Sequence, residues 1–380
     1  MKNILYIHAG AELYGADIVL LNLIKGLNKE KYKPYVILPC NGPLVDKMKQ
    51  NNINVEVIPY PILRRQYFNI KGIFKYITGY FKYSKILAKK AKEYNIDILH
   101  VNTIAVLEGI YIKNKTKVKL IWHIHEILEK PKIIAKFLSK LVAKYADKVV
   151  VVSNAVKKHL ETMANFKKEI KVIYNGVDNE IFNSDNDVNY LKEQFKIPEN
   201  SRIIGMIGRI NSWKGQKDFI DATNKLLKKH TDLYAMLVGG VFEGQEWRKK
   251  ELEEYISNQE NSDRIILSDY RVDTKNIHNL FDIFVLPSTE PDPLPTVVLE
   301  SMATGKPIVA YKHGGVCEMV KENFNGLFAI PRDVEELSNK IEQMLESDYK
   351  KFGKNSYERQ KEFFSLQSYI KNFEQLYDEI

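Results

Sequence analysis

Two carboxylates eight residues apart, Asp292 and Glu300, mark the stretch of this sequence best placed to do chemistry. Ile283 to Leu286 is a short apolar run and reads as a buried strand. A loop with four prolines follows. Thr296 to Thr304 reads as a helix, opened by Pro295 and closed by Gly305. Pro307 to Ala310 is a second buried strand, ending before Gly314-Gly315. Strand, loop, helix and strand place the loop outside the carboxyl ends of the strands, where an open α/β sheet binds ligands. Two carboxylates there can form a glycosidase acid pair, although no second feature of the sequence supports that use.

Three further places carry candidate chemistry. The first strand, Asn3 to Ile7, runs into a loop ending Gly15-Ala16-Asp17, after which Ile18, Leu21, Ile24 and Leu27 recur on one helical face. Bare backbone at Gly15 can approach a phosphate, and the helix end favours negative charge; a tight turn is the simpler use of that glycine. The dinucleotide fingerprint is absent, because Gly10 and Gly15 have the wrong spacing. A strand at 120–123 ends in Trp122-His123-Ile124-His125-Glu126, a polar cluster at a ligand-binding edge. It offers three metal ligands at most, fewer than a closed zinc site needs. The strand Ile203 to Ile207 ends in Gly208-Arg209, and a short loop then carries Lys214-Gly215 into an amphipathic helix. The triplet Asp185-Asn186-Asp187 has a pattern that can hold a divalent metal, but it sits in a polar, turn-rich stretch and reads as a solvated loop.

The elements that position these residues alternate. Strands are expected at 35–39, 55–58, 98–101, 149–152, 171–174, 234–238 and 265–267. Helices are expected at 70–92, 132–146, 155–163, 246–257, 333–346 and 366–379, with Ser153-Asn154 as a cap. Asn325-Gly326 reads as a turn. The pattern predicts two successive α/β halves joined through the polar stretch 179–201. With 44% hydrophobic and 28% charged residues, the composition is that of an ordinary globular protein. Cys40 and Cys317 form no metal or redox motif, which points to a reducing cytoplasm. No signal peptide is expected, and no apolar run approaches the roughly 20 residues of a membrane-spanning helix.

The net charge of +9 is uneven. Residues 1–175 hold 31 Lys+Arg against 13 Asp+Glu (+18), and the remainder is −9. Helix 70–92 pairs Ile73, Phe74, Ile77, Phe81 and Leu87 with Lys71, Lys75, Lys82, Lys85, Lys89 and Lys90, and Arg64-Arg65 precedes it. In helix 132–146, Lys132, Lys136, Lys140 and Lys144 form one ridge, continued at Lys148, opposite Ile133, Phe137, Leu141 and Tyr145. Such faces suit an anionic partner or membrane surface; the alternative is a solvated lysine surface.

Taken in order, the motifs resemble glycosyltransferase family 4, the retaining, nucleotide-sugar-dependent enzymes of the GT-B fold. Gly15-Ala16-Asp17, His125-Glu126, Val151-Val152-Ser153, Asn175-Gly176-Val177-Asp178, Gly208-Arg209, Lys214-Gly215, and Pro287-Ser288 through Glu300 to Gly314-Gly315 carry the resemblance over nearly the whole chain. It implies two Rossmann-like α/β/α domains facing across a cleft. Residues 1–178 would bind the acceptor, 179–201 would be a linker, 202–365 would bind the donor, and the helix in 366–380 would cross back to the first domain.

The resemblance also implies roles. Arg209 and Lys214 clamp the donor diphosphate, so no metal or other cofactor is expected; the catalytic set is His125, Arg209 and Lys214. Gly15, Ala16, Leu294, Pro295, Thr296, Val297 and Glu300 bind the donor, with Glu300 on the ribose hydroxyls. Asp292 stands where the family has a longer glutamate, and that departure bears on sugar preference. Gly239, Arg271 and Val272 lie in the nucleobase region. Asp17, Arg64, Arg65, Lys132 and Lys136 lie on the acceptor or membrane side. The expected partners are a nucleotide sugar (UDP or GDP), a glycan or lipid-linked acceptor and an anionic inner membrane face, with no nucleic acid. A sugar-nucleotide epimerase of the same fold is the rival enzyme. A nucleic-acid-binding protein would share the basic half, but would leave Arg209, Lys214 and Glu300 unexplained. An NAD-type oxidoreductase lacks its glycine fingerprint.

Overall fold

Short runs of Val, Ile and Leu, apolar on both faces, have a stable place only inside a sheet covered by helices on each side. This chain builds two such sheets. The structure, a computed structural model, describes the backbone of all 380 residues and the side chains of all but Arg65. It divides into one unit of Met1–Gly176 with Leu366–Ile380, and a second of Val177–Ser365.

The first unit begins with β1 (Lys2–His8), α1 (Gly15–Gly26), β2 (Tyr32–Leu38), α2 (Pro43–Gln50), β3 (Asn54–Val57) and α3 (Ile70–Glu93). It continues through β4 (Ile98–Asn102), α4 (Glu108–Thr116), β5 (Lys119–Ile124), α5 (Lys132–Tyr145), β6 (Lys148–Val151), α6 (Asn154–Met163) and β7 (Ile170–Val172). The strands are all parallel in the order β3-β2-β1-β4-β5-β6-β7. The order reverses between β1 and β4, so a crevice opens at their carboxyl ends. Register places His8 opposite Asn102, and Asn102 opposite His123.

The second unit holds α7 (Asn189–Gln194), β8 (Arg202–Ile207), α8 (Gln216–Lys229), β9 (Leu233–Val238), α9 (Trp247–Ser257), β10 (Ile265–Ser268), α10 (Thr274–Leu280) and β11 (Ile283–Leu286). Then come α11 (Thr296–Ala303), β12 (Ile308–Tyr311), α12 (Val316–Met319), β13 (Gly326–Ala329), α13 (Val334–Glu346) and α14 (Tyr349–Phe363). Its parallel order is β10-β9-β8-β11-β12-β13, with the reversal between β8 and β11.

Several expectations change. Residues 179–201 are no linker: they belong to the second unit and carry α7, and Asp185-Asn186-Asp187 lies in turns before it. Gly326 opens β13 rather than completing a turn. Lys148 opens β6 and pairs with Glu379 at 3.5 Å, off the ridge of α5.

The structure orients the two faces of α3 and α5. Most of their large apolar side chains point outward, although Leu87 is buried. Ile70 is 89% exposed and Phe74 72%, and Ile73, Ile77 and Phe81 are also exposed; α3 buries Tyr76, Ser84, Leu87, Ala88 and Ala91 instead. Helix α5 buries Ala135, Leu138, Ser139 and Val142, leaving Ile133 82% exposed and Phe137 exposed. Helix α3 packs chiefly against α4 and α5 against α6, and the larger side chains named here lie off those buried faces. Among the described residues, no helix is long and apolar enough to cross a membrane.

The final helix, α15 (Leu366–Asp378), is part of the first unit. It buries Tyr369, Phe373, Leu376 and Tyr377 in the same core as Ile4, Tyr6, Leu20, Leu23 and Ile24. The Tyr377 hydroxyl lies 2.9 Å from that of Tyr6 and 2.8 Å from His100 Nδ1, so the buried polar ends are paired. Phe373→Ala should destabilise the first unit by about 3–5 kcal/mol, read as a lower unfolding midpoint in denaturant; an unchanged midpoint would deny α15 its place in the core.

Candidate active site

Both sheets present polar side chains where their strand order reverses. In the second unit, the loops after β8 and β11 are built against each other. Asn211 Oδ1 accepts from the backbone N–H of Trp213 (3.0 Å) and of Lys214 (2.9 Å), which bends the loop after β8. Gly215 then caps α8 at φ +79°, and a Cβ there would stand 1.9 Å from the Pro287 carbonyl oxygen. Only glycine fits this left-handed position against β11's loop. Thr289 N–H donates to the Trp213 carbonyl at 2.7 Å and completes the junction.

The result is that Lys214 meets Asp292. Its Nζ donates to Oδ1 at 3.0 Å and to Oδ2 at 2.9 Å, and Ser288 Oγ donates to Oδ2 at 2.8 Å. Asp292 is 6% exposed, and its backbone oxygen takes the Gly315 N–H at 2.7 Å. Asp292 is therefore held by Lys214 and Ser288. Arg209 leaves β8 with its guanidinium 3.6 Å from the ring centroid of Phe242, a stacked cation–π contact. Gln216 Nε2 fixes the Arg209 carbonyl at 2.9 Å.

On α11, Glu300 Oε2 lies 3.1 Å from Nε2 of the buried His278. Leu294 and Pro295 are buried, and Thr296 and Val297 are half-buried. Pro295 has no side chain with which to cap the helix, so the leading N–H groups at Thr296 and Val297 suit an external anion. Gly239 packs where a Cβ would stand 1.9 Å from the Gly208 oxygen. Arg271 does not offer its guanidinium outward. Asp273 takes it at 2.8 and 2.6 Å, which depresses the Asp273 pKa to about 2, while Val272 is 89% exposed.

In the first unit, Gly15 and Ala16 form the half-buried first turn of α1. Asp17 is 6% exposed and faces inward. Its Oδ2 caps the helix by accepting from Tyr14 N–H at 2.9 Å, and its Oδ1 lies 2.9 Å from His8 Nε2. His125 Nε2 lies 2.9 Å from Asn102 Oδ1. Burial, and then neighbouring His8 and His100, push its pKa down to about 3. Glu126 is tied to the Thr103 hydroxyl, Ile104 N–H and His125 N–H, and burial raises its pKa. His123 is fully buried between His100 and Phe373. Arg64 is exposed and donates to the Ala9 carbonyl at 3.1 Å; Lys132 and Lys136 are exposed on α5; the side chain of Arg65 lies outside the described residues.

The structure thus joins Lys214 to Asp292, and links His125 to Asp17 through two side chains the sequence reading passed over, His8 and Asn102. A polar residue closing a buried strand was the available signal at both. Phe242 and His278 were also missed, since each gains its role from a partner far away in sequence; Ser288, four residues from Asp292, was quoted only as part of the donor motif.

Residues 14–181 match the family described as Glycosyltransferase Family 4, and residues 187–359 match Glycosyl transferases group 1. An uncharacterized glycosyltransferase of Methanocaldococcus jannaschii is 27% identical over 92% of this chain and 91% of its own. The N,N'-diacetylbacillosaminyl-diphospho-undecaprenol alpha-1,3-N-acetylgalactosaminyltransferase of Campylobacter jejuni is 26% identical over 90% of this chain and 88% of its own. The crystal structure of Anabaena HepE in complex with UDP aligns over the full length of both chains, with TM-score 0.86 and 25% identity.

The side chains of Lys214 and Asp292 are 14% and 7% exposed. Asp292→Ala would strand a nearly buried ammonium and should cost the second unit about 3–5 kcal/mol. The pair of changes Lys214→Met and Asp292→Leu should recover most of it, as measured by thermal unfolding; equal losses in both variants would mean that packing, not the ion pair, holds the loops.

Proposed function

Because this chain belongs to glycosyltransferase family 4 and has the GT-B fold, we propose that it moves a hexose or N-acetylhexosamine from a nucleoside diphosphate sugar to a glycan or lipid-linked glycan. The observation that carries this reading is the placing of Arg209 and Lys214 by loops that meet at the β8–β11 reversal. Cleaving a sugar–diphosphate bond leaves growing negative charge on the departing phosphate, and fixed cations lower the barrier most when they stand where that charge develops. Arg209 supplies a planar fork and Lys214 a point charge. Lys214 exchanges Asp292 for phosphate, so the carboxylate keeps the ammonium in place until donor arrives. The leading amides of α11 add donors. Together these groups take the part a divalent cation plays elsewhere, and the transfer proceeds without metal.

Glu300 keeps Oε1 for a ribose hydroxyl while His278 holds Oε2. With Arg271 engaged by Asp273, the main chain at Arg271–Val272 and Gly239 faces the base. The UDP bound by the Anabaena protein supports a uridine donor. In the step itself the sugar C1–O bond breaks, the acceptor oxygen bonds C1 from the same face, and the leaving phosphate takes the acceptor proton. Configuration is retained, with His125 orienting the sugar.

The acceptor reading rests on α3 and α5. Among the described residues, no ion pair neutralises Lys71, Lys75, Lys82, Lys85 or Lys89, or the lysines of α5. In the second unit, Lys217 and Lys229 on α8 each meet a glutamate at 2.8 Å. Unpaired lysines beside outward Ile and Phe side chains suit an anionic lipid surface. The Campylobacter relative is named for a diphospho-undecaprenol acceptor, which agrees with a peripheral enzyme on the inner membrane face.

Purified protein should release nucleoside diphosphate from a UDP-sugar in the presence of acceptor. EDTA should leave the rate unchanged, and Lys214→Ala should lower kcat by about 100-fold or more. Activity abolished by EDTA, or full turnover in Lys214→Ala, would refute the metal-free clamp. The chain should also co-sediment with phosphatidylglycerol vesicles more than with phosphatidylcholine vesicles, and Phe74→Ser with Lys75→Glu should reduce the difference; equal binding to both lipids would remove the membrane reading.

A further inference from the structure

Asn102 takes no part in the reaction as described, yet it is 1% exposed at the reversal between β1 and β4. Parallel register sets it directly opposite His8 on one side and His123 on the other. Its amide spans two rings: Oδ1 lies 2.9 Å from His125 Nε2, and Nδ2 lies 3.1 Å from His8 Nδ1. The far nitrogen of His8, Nε2, lies 2.9 Å from Asp17 Oδ1.

Donor and acceptor chemistry fixes the protons along this row. An ionised carboxylate only accepts, an amide oxygen only accepts, and an amide NH₂ only donates. Asp17 therefore calls for a proton on His8 Nε2. In a neutral ring, that leaves His8 Nδ1 as the acceptor for Asn102 Nδ2–H. Asn102 Oδ1 then faces His125 and takes a proton from its Nε2. Turning the amide over would present NH₂ to His125 and oxygen to His8 Nδ1, putting the His8 proton on Nδ1. The Asn102 carbonyl, 2.9 Å from that nitrogen, could accept it, but the bare Nε2 lone pair would then face the Asp17 carboxylate. The first arrangement forgoes a bond to the Asn102 main-chain carbonyl, whose oxygen then faces the bare His8 Nδ1, but an ionised carboxylate opposes a lone pair more strongly than a neutral carbonyl does, so the charge of Asp17 selects it. Asp17 cannot swing away, because its other oxygen caps α1 at Tyr14 N–H.

We propose that Asp17, His8 and Asn102 are positioning residues that hold His125 as the neutral Nε2–H tautomer, so that it meets the sugar with Nδ1 as a hydrogen-bond acceptor. This rests on the reading of His125 given above, and adds which ring nitrogen works and what sets it. A second partner that fixes a histidine's tautomer is the usual way a protein chooses which nitrogen is free. The titratable groups around His125 agree. His8 comes from β1, Asp17 from α1, His100 from β4, His123 from β5, and Glu126 follows in sequence, turned toward Thr103 and Ile104. Tyr377 of α15 stands behind His100. Burial keeps His100, His123 and His125 neutral by pushing all three pKa values down, so the arrangement persists through ordinary pH.

The test is long-range ¹H–¹⁵N correlation spectroscopy of the full chain labelled with [¹⁵N]histidine, with the His125 pattern identified by its loss in His125→Gln. The wild type should show the Nε2–H pattern for His125, unchanged from about pH 5 to about pH 8. Asn102→Ala should give an averaged pattern of exchanging tautomers, with kcat lower by about 10–100-fold and donor KM within about 2-fold. Asn102→Asp should keep the Nε2–H tautomer but bring a negative charge beside the ring. His125 then protonates at higher pH than in the wild type, and the rate falls as pH drops through that raised value. An Nδ1–H or averaged pattern in the wild type would overturn the proposal, as would a wild-type pattern and pH profile in Asn102→Ala. The wild-type spectrum needs neither substrate nor a variant that folds beyond His125→Gln, so it decides the tautomer even if no sugar transfer is found.

Discussion

On the proposed reading Lys214 is a cation kept ready for a substrate phosphate, and such a cation must survive the time when no phosphate is there. That constraint governs the second unit. Lys214 is largely withdrawn from water, where an unpaired ammonium is costly. Asp292 resolves this, and its own position depends on Ser288, on the Gly315 amide and on two glycines that let loops touch. Gly314 at φ +67° is the second of them: a Cβ there would stand 2.5 Å from the Asp292 oxygen. The β8 and β11 loops, the cap of α8 and the end of β12 are thus mutually determined around one ion pair. Asp in place of a longer carboxylate fits this role, because a short side chain can stay within the loop.

The first unit meets a similar demand by the opposite means. Its reversal point gathers His8, His100, His123 and His125, with His100 Nε2 3.3 Å from His123 Nδ1 and the rings of His123 and His125 4.1 Å apart. Four imidazolium ions at such spacing would repel strongly. Burial favours the uncharged form of His100, His123 and His125, and hydrogen bonds to Asn102, Asp17 and Tyr377 use polar edges of the group. One site holds charge by pairing it, and the other avoids charge and orders protons.

What could be read in advance follows from how local each signal is. Buried strands such as Val149–Val151 and Ile283–Leu286 announce themselves in three or four letters, because both faces are apolar. The candidate residues Arg209, Lys214, His125 and Glu300 all follow strands or open helices, so position and type coincide in the sequence. Asn102 and His8 did not stand out, since their use comes from register between β1 and β4, which pairs residues 94 apart. Which faces of α3 and α5 turn inward was left open by the sequence. Periodicity shows that a helix has two faces but does not say which one meets the sheet. The buried side of α3 proves to be Tyr76, Ser84, Leu87, Ala88 and Ala91. Arg271 was placed in the nucleobase region, and its guanidinium is held by Asp273, two residues on.

The place of α15 bears on how the chain comes off the ribosome. Residues 1–176 are made first, but their core lacks Tyr369, Phe373, Leu376 and Tyr377 until the last residues emerge. At roughly 5–20 residues per second, the intervening segment adds a delay on the order of 10–40 s. During that wait the first unit carries an open apolar trough alongside α1, while the second unit, encoded without interruption, already has every element it needs. The order of completion is therefore the reverse of the order of synthesis, and the nascent N-terminal half is the part with most need of chaperone shelter.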